Sequence, residues 1–260
     1  MMGKIIAIAN QKGGVGKTTT CVNLAAALAE DKRHVLLLDL DPQGNATVGC
    51  GVNKNQIAHT INDVLIGEVE LAEILINTVG GFDLAAANED LTESEINLIS
   101  MARREQRLLQ AIAKIKGRYD YILIDCPPAL NMLTINALVA ADSVLIPMQC
   151  EYYALEGLTG LMRTIDKISK TANTRLKIEG LLRTMYDGRN SLTTQVSDEL
   201  MKHFPDRVYN TVIPRNVRLA EAPSHGLPAI LYDKQSTGAI AYIQLAKELL
   251  HHRECEFEMA

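Results

Sequence analysis

Short apolar runs alternate along the chain with longer stretches whose apolar residues return every three or four positions. Runs such as "VLLLDL" and "YILIDC" show almost no alternation of apolar and polar residues. Both faces of such a strand must be covered, as in a parallel sheet with helices on either side. Strands are therefore expected over residues 4–9, 34–40, 82–86, 119–125, 143–148, 177–185 and 207–213. Helices are expected over 17–30, 100–116, 131–141, 154–171, 192–203 and 237–251; in 100–116 the stripe is Leu108, Leu109, Ile112 and Ile115. Strand and helix in turn imply an α/β fold: one doubly wound, mostly parallel sheet with helices on both faces. No internal repeat or low-complexity linker interrupts the order, so residues 1–260 are expected to form a single domain. Residues 51–80 follow neither period, and short helices over one edge of the sheet are expected there.

Composition narrows the class. Apolar residues make up 47% of the 260 and charged residues 22%, the balance of an ordinary globular chain. No run approaches the roughly 18–20 apolar residues that span a bilayer. Met1-Met2-Gly3-Lys4 leads straight into a strand and leaves no room for a signal peptide. Five scattered cysteines without a C-x-x-C pair fit reduced thiols in the cytoplasm, neither a disulfide framework nor a zinc site. A net charge of −5 means that any nucleic-acid binding must come from a local patch.

The chemistry lies in residues 10–20, "NQKGGVGKTTT", between the first strand and the first helix. A glycine turn there lets backbone N–H groups face phosphates, while a lysine neutralises them and a hydroxyl serves Mg²⁺. Gly13, Gly14, Val15 and Gly16 form the turn, Lys17 carries the charge, and Thr18, followed by Thr19, supplies the metal ligand. A nucleoside phosphate and Mg²⁺ are the implied ligands of this P-loop. The pattern G-x-x-x-x-G-K-[ST] would place glycine at position 11, where this chain has Gln11 followed by a second lysine, Lys12. Other strands end in carboxylates: Asp39 and Asp41 in "LLLDLDPQGN" and Asp125 in "YILIDCPP". Ligands of open α/β sheets lie beyond these ends, so Asp125 is expected to hold a water of the metal. Asp39 is either a working carboxylate of the site or no more than a partner for the P-loop.

The first loop, with "DLDPQGNAT", "DCPP", "QCEYYALEGL", "TMYDGR" and "VIPRNVRLAEAPSHG", resembles the ParA/Soj branch of P-loop ATPases with a deviant Walker A motif, K-G-G-x-G-K-[TS]. The resemblance covers nearly the whole chain. It implies that Asp41 serves hydrolysis and that Pro214 and Asn216 touch the adenine. It also implies that two protomers sandwich two ATP molecules, each Lys12 reaching its partner's nucleotide. Without the glycines beside it Lys12 would read as a solvated loop lysine.

Residues 183–218 hold six Lys/Arg against four Asp/Glu, a small local excess that alone reads as a solvated face. The resemblance implies instead ATP-dependent, sequence-independent binding of double-stranded DNA, with Arg189 and Arg218 as first contacts and Arg183 and Lys202 after them. It further implies a homodimer, a ParB-type centromere-binding partner that accelerates slow hydrolysis, and association with the nucleoid in chromosome or plasmid segregation. No helix-turn-helix domain precedes the loop, so operator binding is not expected. The alternatives are a nucleotide-switched regulator of replication initiation or of another partner, and a MinD-like positioning ATPase. The tail "LLHHRECEFEMA", with one arginine against three glutamates, argues against a membrane helix of the MinD kind. The scattered cysteines argue against an iron–sulfur ATPase. A second basic run, Arg103, Arg104, Arg107, Lys114, Lys116 and Arg118, is expected to be the solvated face of the helix over 100–116, with partner docking as the alternative.

Overall fold

A computed structural model of the chain describes residues 3–258, with side chains through residue 254. The Met1-Met2 start and the end of the acidic tail, including the Cys255 side chain, lie outside the described residues. The strands are β1 (Lys4–Ile8), β2 (Val35–Asp39), β3 (Leu75–Asn77), β4 (Asp83–Ala85), β5 (Tyr121–Asp125), β6 (Ser143–Gln149), β7 (Lys177–Tyr186) and β8 (Val208–Pro214). They form one sheet in the order β3-β4-β2-β5-β1-β6-β7-β8. Every pairing is parallel except β3 with β4. The chain starts in the middle of the sheet, builds one wing, returns to β5, and then builds the other wing.

The unbroken apolar runs have the expected cause. Ile5 and Ala7 of β1 and Leu36 and Leu38 of β2 enter one core, while Ile6, Ile8, Val35 and Leu37 enter the other. One face is covered by α1 (Lys17–Glu30), with α2 (Asn45–Gly49) at its edge. The other carries α3 (Ile61–Ile66), α4 (Leu91–Ser100), α5 (Arg107–Ala113), α6 (Met132–Ala140), α7 (Ala154–Thr171) and α8 (Ser191–His203). The chain then returns to the α1 face through α9 (Val217–Glu221), α10 (Ala229–Tyr232) and α11 (Thr237–Glu258).

Two expectations need correction. Residues 100–116 are not one helix: α4 stops at Ser100, Arg103 takes a left-handed φ of 52°, and α5 starts at Arg107. The restart has a distant cause. Asn136 of α6, fully buried, accepts from the Leu108 N–H at 3.2 Å and donates to the Arg104 carbonyl at 2.8 Å. It thus satisfies one N–H that the start of α5 leaves open and the Arg104 carbonyl just before that start. The second correction concerns residues 51–80. They do contain the short helix α3, held by a capping box between Thr60 and Asp63. They also contain β3, an antiparallel edge strand of three residues, too short to show a period.

Candidate nucleotide site

Register brings the carboxylates together. Asp39 and Ile8 both pair with Asp125, so β1, β2 and β5 end level with one another. Beyond those ends the loop between β1 and α1 encloses a cavity of about 600 Å³. Gly14 and Gly16 have φ of 72° and 88°, the left-handed region that only glycine enters cheaply. A β-carbon on Gly13 or Gly14 would meet nothing within 4 Å, because the loop backbone borders open space. Gly16 caps α1 without a side chain, leaving the helix's first N–H groups free to face an anion.

Lys17 is buried and lines this cavity, its Nζ resting on the Lys12 carbonyl at 3.2 Å. The Thr18 hydroxyl donates to Asp125 Oδ2 at 2.7 Å. Asp41 lines the cavity, its Oδ1 accepting from the Gln43 N–H at 3.0 Å. Asp39, whose role the sequence left open, is a fastener. Its Oδ2 accepts from the Thr47 N–H and hydroxyl, both at 2.8 Å, and its Oδ1 from the Asp41 N–H at 3.1 Å. It holds the Asp41 loop and α2 against the sheet.

Both Asp39 and Asp125 are fully buried. Burial raises the Asp125 carboxyl well above the usual range, and the charge of Asp39 adds to it. Burial also raises Asp39, against the pull of the bonds from Thr47 and Asp41. Two buried carboxylates beside a hydroxyl at a phosphate cradle form a hard oxygen donor set. The residues therefore fit Mg²⁺, with the Thr18 hydroxyl and the Asp125 carboxylate it donates to as available oxygens.

Lys12 goes elsewhere. Its side chain is absent from the cavity wall and pairs with Glu151, just past β6, at 2.5 Å, with 44% of the side chain exposed. The two loop lysines thus serve different places.

A smaller cavity of about 180 Å³ opens beside the first. Pro214 and Asn216, the expected adenine contacts, line it together with Thr184, Met185 and Tyr242, which sequence reasoning did not single out. The Thr184 hydroxyl donates to the Val15 carbonyl at 2.7 Å, tying β7 to the P-loop. Met185 has φ of 49° and, like Gly16 and Thr19, borders both cavities. Its block, "TMYDGR", was the available signal; Tyr242 on α11 gave none. Asn216 caps α9, accepting from the Leu219 N–H at 3.2 Å.

Among the DNA candidates, Arg183 is corrected. It lies on β7, 8% exposed, donating to Ser197 Oγ at 2.9 Å and to the carbonyls of Tyr209 and Asn210 at 2.8 and 3.1 Å. It ties β7 to β8 and α8 and presents no charge to a phosphate outside. Arg189, Arg218 and Lys202 are exposed, paired respectively with Asp187, with Glu221 and Asp233, and with Glu199. The other basic run is only partly a solvated face. Arg107 donates to the Leu65 carbonyl, Lys114 pairs with Glu70, and Lys116, 14% exposed, pairs with Asp142.

A family model described as an AAA domain matches residues 3–178. The chain is 55% identical over 249 residues to the sporulation initiation inhibitor protein Soj of Bacillus subtilis, covering 95% of this chain and 98% of that one. It is 52% identical over 250 residues to the chromosome partitioning protein ParA of Caulobacter vibrioides, covering 95% and 94%. This chain belongs to the ParA/Soj family.

The ParA/Soj-family chain is also similar to a solved structure, cobyrinic acid a,c-diamide synthase from Mycobacterium smegmatis with ADP and magnesium. The TM-score is 0.87 at 39% identity, over 97% of this chain and 96% of that one. The ligands of this ParA/Soj-family ATPase are ATP and Mg²⁺, in agreement with the cradle, the carboxylate pair and the neighbour's contents. Among the described residues no helix is long and apolar enough to cross a membrane.

Proposed function

We propose that the chain is an ATP-gated homodimer that binds double-stranded DNA without regard to sequence. Hydrolysis, slow alone and stimulated by a ParB-type centromere-binding protein, resets it in chromosome or plasmid segregation. The observation that carries the reading is the division of labour in one loop: Lys17 lines the phosphate cavity and Lys12 leaves it for the surface.

In each protomer the loop N–H groups and Lys17 hold the phosphates, while Thr18 and Asp125 hold the metal. Bound Mg²⁺ draws negative charge from the phosphate oxygens. Asp41, anchored through its own N–H to Asp39, orients the attacking water. Lys12 gives up Glu151 and reaches the partner's nucleotide, where a cation supplied in trans is worth roughly 10³–10⁵ in rate in comparable enzymes. Pro214 and Asn216 hold the adenine. Arg189, Arg218 and Lys202 exchange intramolecular carboxylates for DNA phosphates, and dimerisation doubles their number on one surface. Such a protein works in the cytoplasm, on the nucleoid.

Sedimentation of Asp41→Ala with saturating Mg-ATP is the test. A dimer is expected, which Lys12→Ala in the same background should lose. Single chains only, at every ATP concentration, would defeat the proposal. A second reading, a nucleotide-switched regulator, is favoured by the relative named for inhibiting sporulation initiation. Stimulation of hydrolysis by DNA with a ParB-type protein supports segregation; stimulation only by some other partner supports regulation.

A further inference from the structure

Gln11 stands where an ordinary phosphate loop has its first glycine. Its side chain lies against α7 at Gly160, whose missing β-carbon would sit 3.2 Å from Gln11 Oε1, 3.5 Å from Nε2 and 3.7 Å from Cδ. A glycine inside a helix is a poor choice unless something must come close. Gly157, one turn earlier in α7, would meet nothing within 4 Å, so only Gly160 is matched to Gln11.

The backbone on the other side of Gln11 is held at two points. The Lys12 N–H donates to Asn10 Oδ1 at 3.0 Å, and Asn10 Nδ2 donates to the Pro147 carbonyl on β6 at 2.7 Å. The Lys12 carbonyl accepts from Lys17 Nζ. With the Lys12 peptide fixed at both ends and Gln11 lodged on α7, the Lys12 side chain is directed out of the cavity toward Glu151.

We infer that Gln11, seated on Gly160, is a positioning residue that aims Lys12 away from its own nucleotide and toward the partner's. This deepens the proposed function and rests on its reading of Lys12. The departure from the glycine pattern then has a physical purpose: glycine at position 11 would leave the Lys12 backbone held by Asn10 and Lys17 alone, without the brace against α7.

The test is single-turnover hydrolysis of Mg-ATP at dimer-forming protein concentration, with affinity for a fluorescent ATP analogue measured alongside. A misplacement of about 1 Å at a reacting centre costs on the order of 10²-fold. Gln11→Ala and Gly160→Leu should each slow turnover by about 10- to 100-fold while nucleotide affinity stays within about twofold. The double variant should be no slower than the worse single, because both remove one contact. Gln11→Met, of similar length, should restore most of the rate whether or not Gly160→Leu folds. Wild-type turnover in Gln11→Ala, with Lys12→Ala slow, would overturn the positioning role alone. Losses that add in the double variant, or no rescue by Gln11→Met, would overturn it as well. Wild-type turnover in Lys12→Ala would remove the reading beneath it.

Discussion

Arg183→Met separates a structural arginine from a DNA-binding one. The guanidinium makes three hydrogen bonds inside the protein, and its Nε has no partner. Removal strands the buried Tyr209 carbonyl and the buried Ser197 hydroxyl, at roughly 1–3 kcal/mol each, and removes three charge-assisted bonds, the one to Asn210 only partly buried. Relief of the desolvated charge offsets part of this, since ion burial is itself unfavourable. The net expectation is a loss of about 2–4 kcal/mol, hence a Tm lower by roughly 5–15 °C for a chain of this size. Differential scanning fluorimetry measures that shift. DNA affinity measured across a salt series gives the complementary quantity, because each lost phosphate contact reduces the slope of log K against log salt by about 0.9. Arg183→Met should leave that slope unchanged. Arg189→Ala and Arg218→Ala should leave Tm nearly where it is and flatten the slope by up to about 1.8 each in a dimer. An Arg183→Met protein with unaltered Tm and a flatter slope would refute the structural assignment.

Four further experiments bear on the site. Thr18→Val should abolish the Mg²⁺ dependence of nucleotide affinity, because the valine keeps the shape but removes the oxygen; titrations with and without EDTA would show it. Because burial and Asp39 raise the Asp125 carboxyl, Mg-ATP must displace protons held near neutral pH. Affinity should therefore climb with pH across that range, and calorimetry in buffers of different ionisation enthalpy should detect proton release; equal heats would contradict it. In the metal-free chain the sign for folding is opposite. An acid raised by burial stabilises the fold at low pH and costs stability as pH rises through the raised value, so Tm without metal should fall over that interval. Asp39→Ala should free the Asp41 loop, raising hydrogen–deuterium exchange over residues 41–50 far more than in α7; unchanged exchange would show that Asp39 is not the fastener.

The central strands and the phosphate loop were legible because each is a local pattern. A strand buried on both faces must be apolar throughout, and a loop cradling phosphate needs its glycines and lysine in sequence. The failures share a non-local cause. The break between α4 and α5 is decided by Asn136, some thirty residues downstream. The wall of the smaller cavity combines Gly16, Met185 and Tyr242, which no spacing relates. Arg183 shows a different limit: a charge count over residues 183–218 ignores direction, although its place in an expected strand between covered faces was itself a warning.

Asn216 borders the smaller cavity with one end of its neighbourhood and begins α9 with its side chain, two residues ahead of Arg218. Replacing it to reshape that cavity would also fray the short helix that carries Arg218, since a lost cap weakens a helix by roughly 1 kcal/mol. One side chain thus answers to two demands, and the wall of that cavity cannot be recut without loosening the helix that begins beside it.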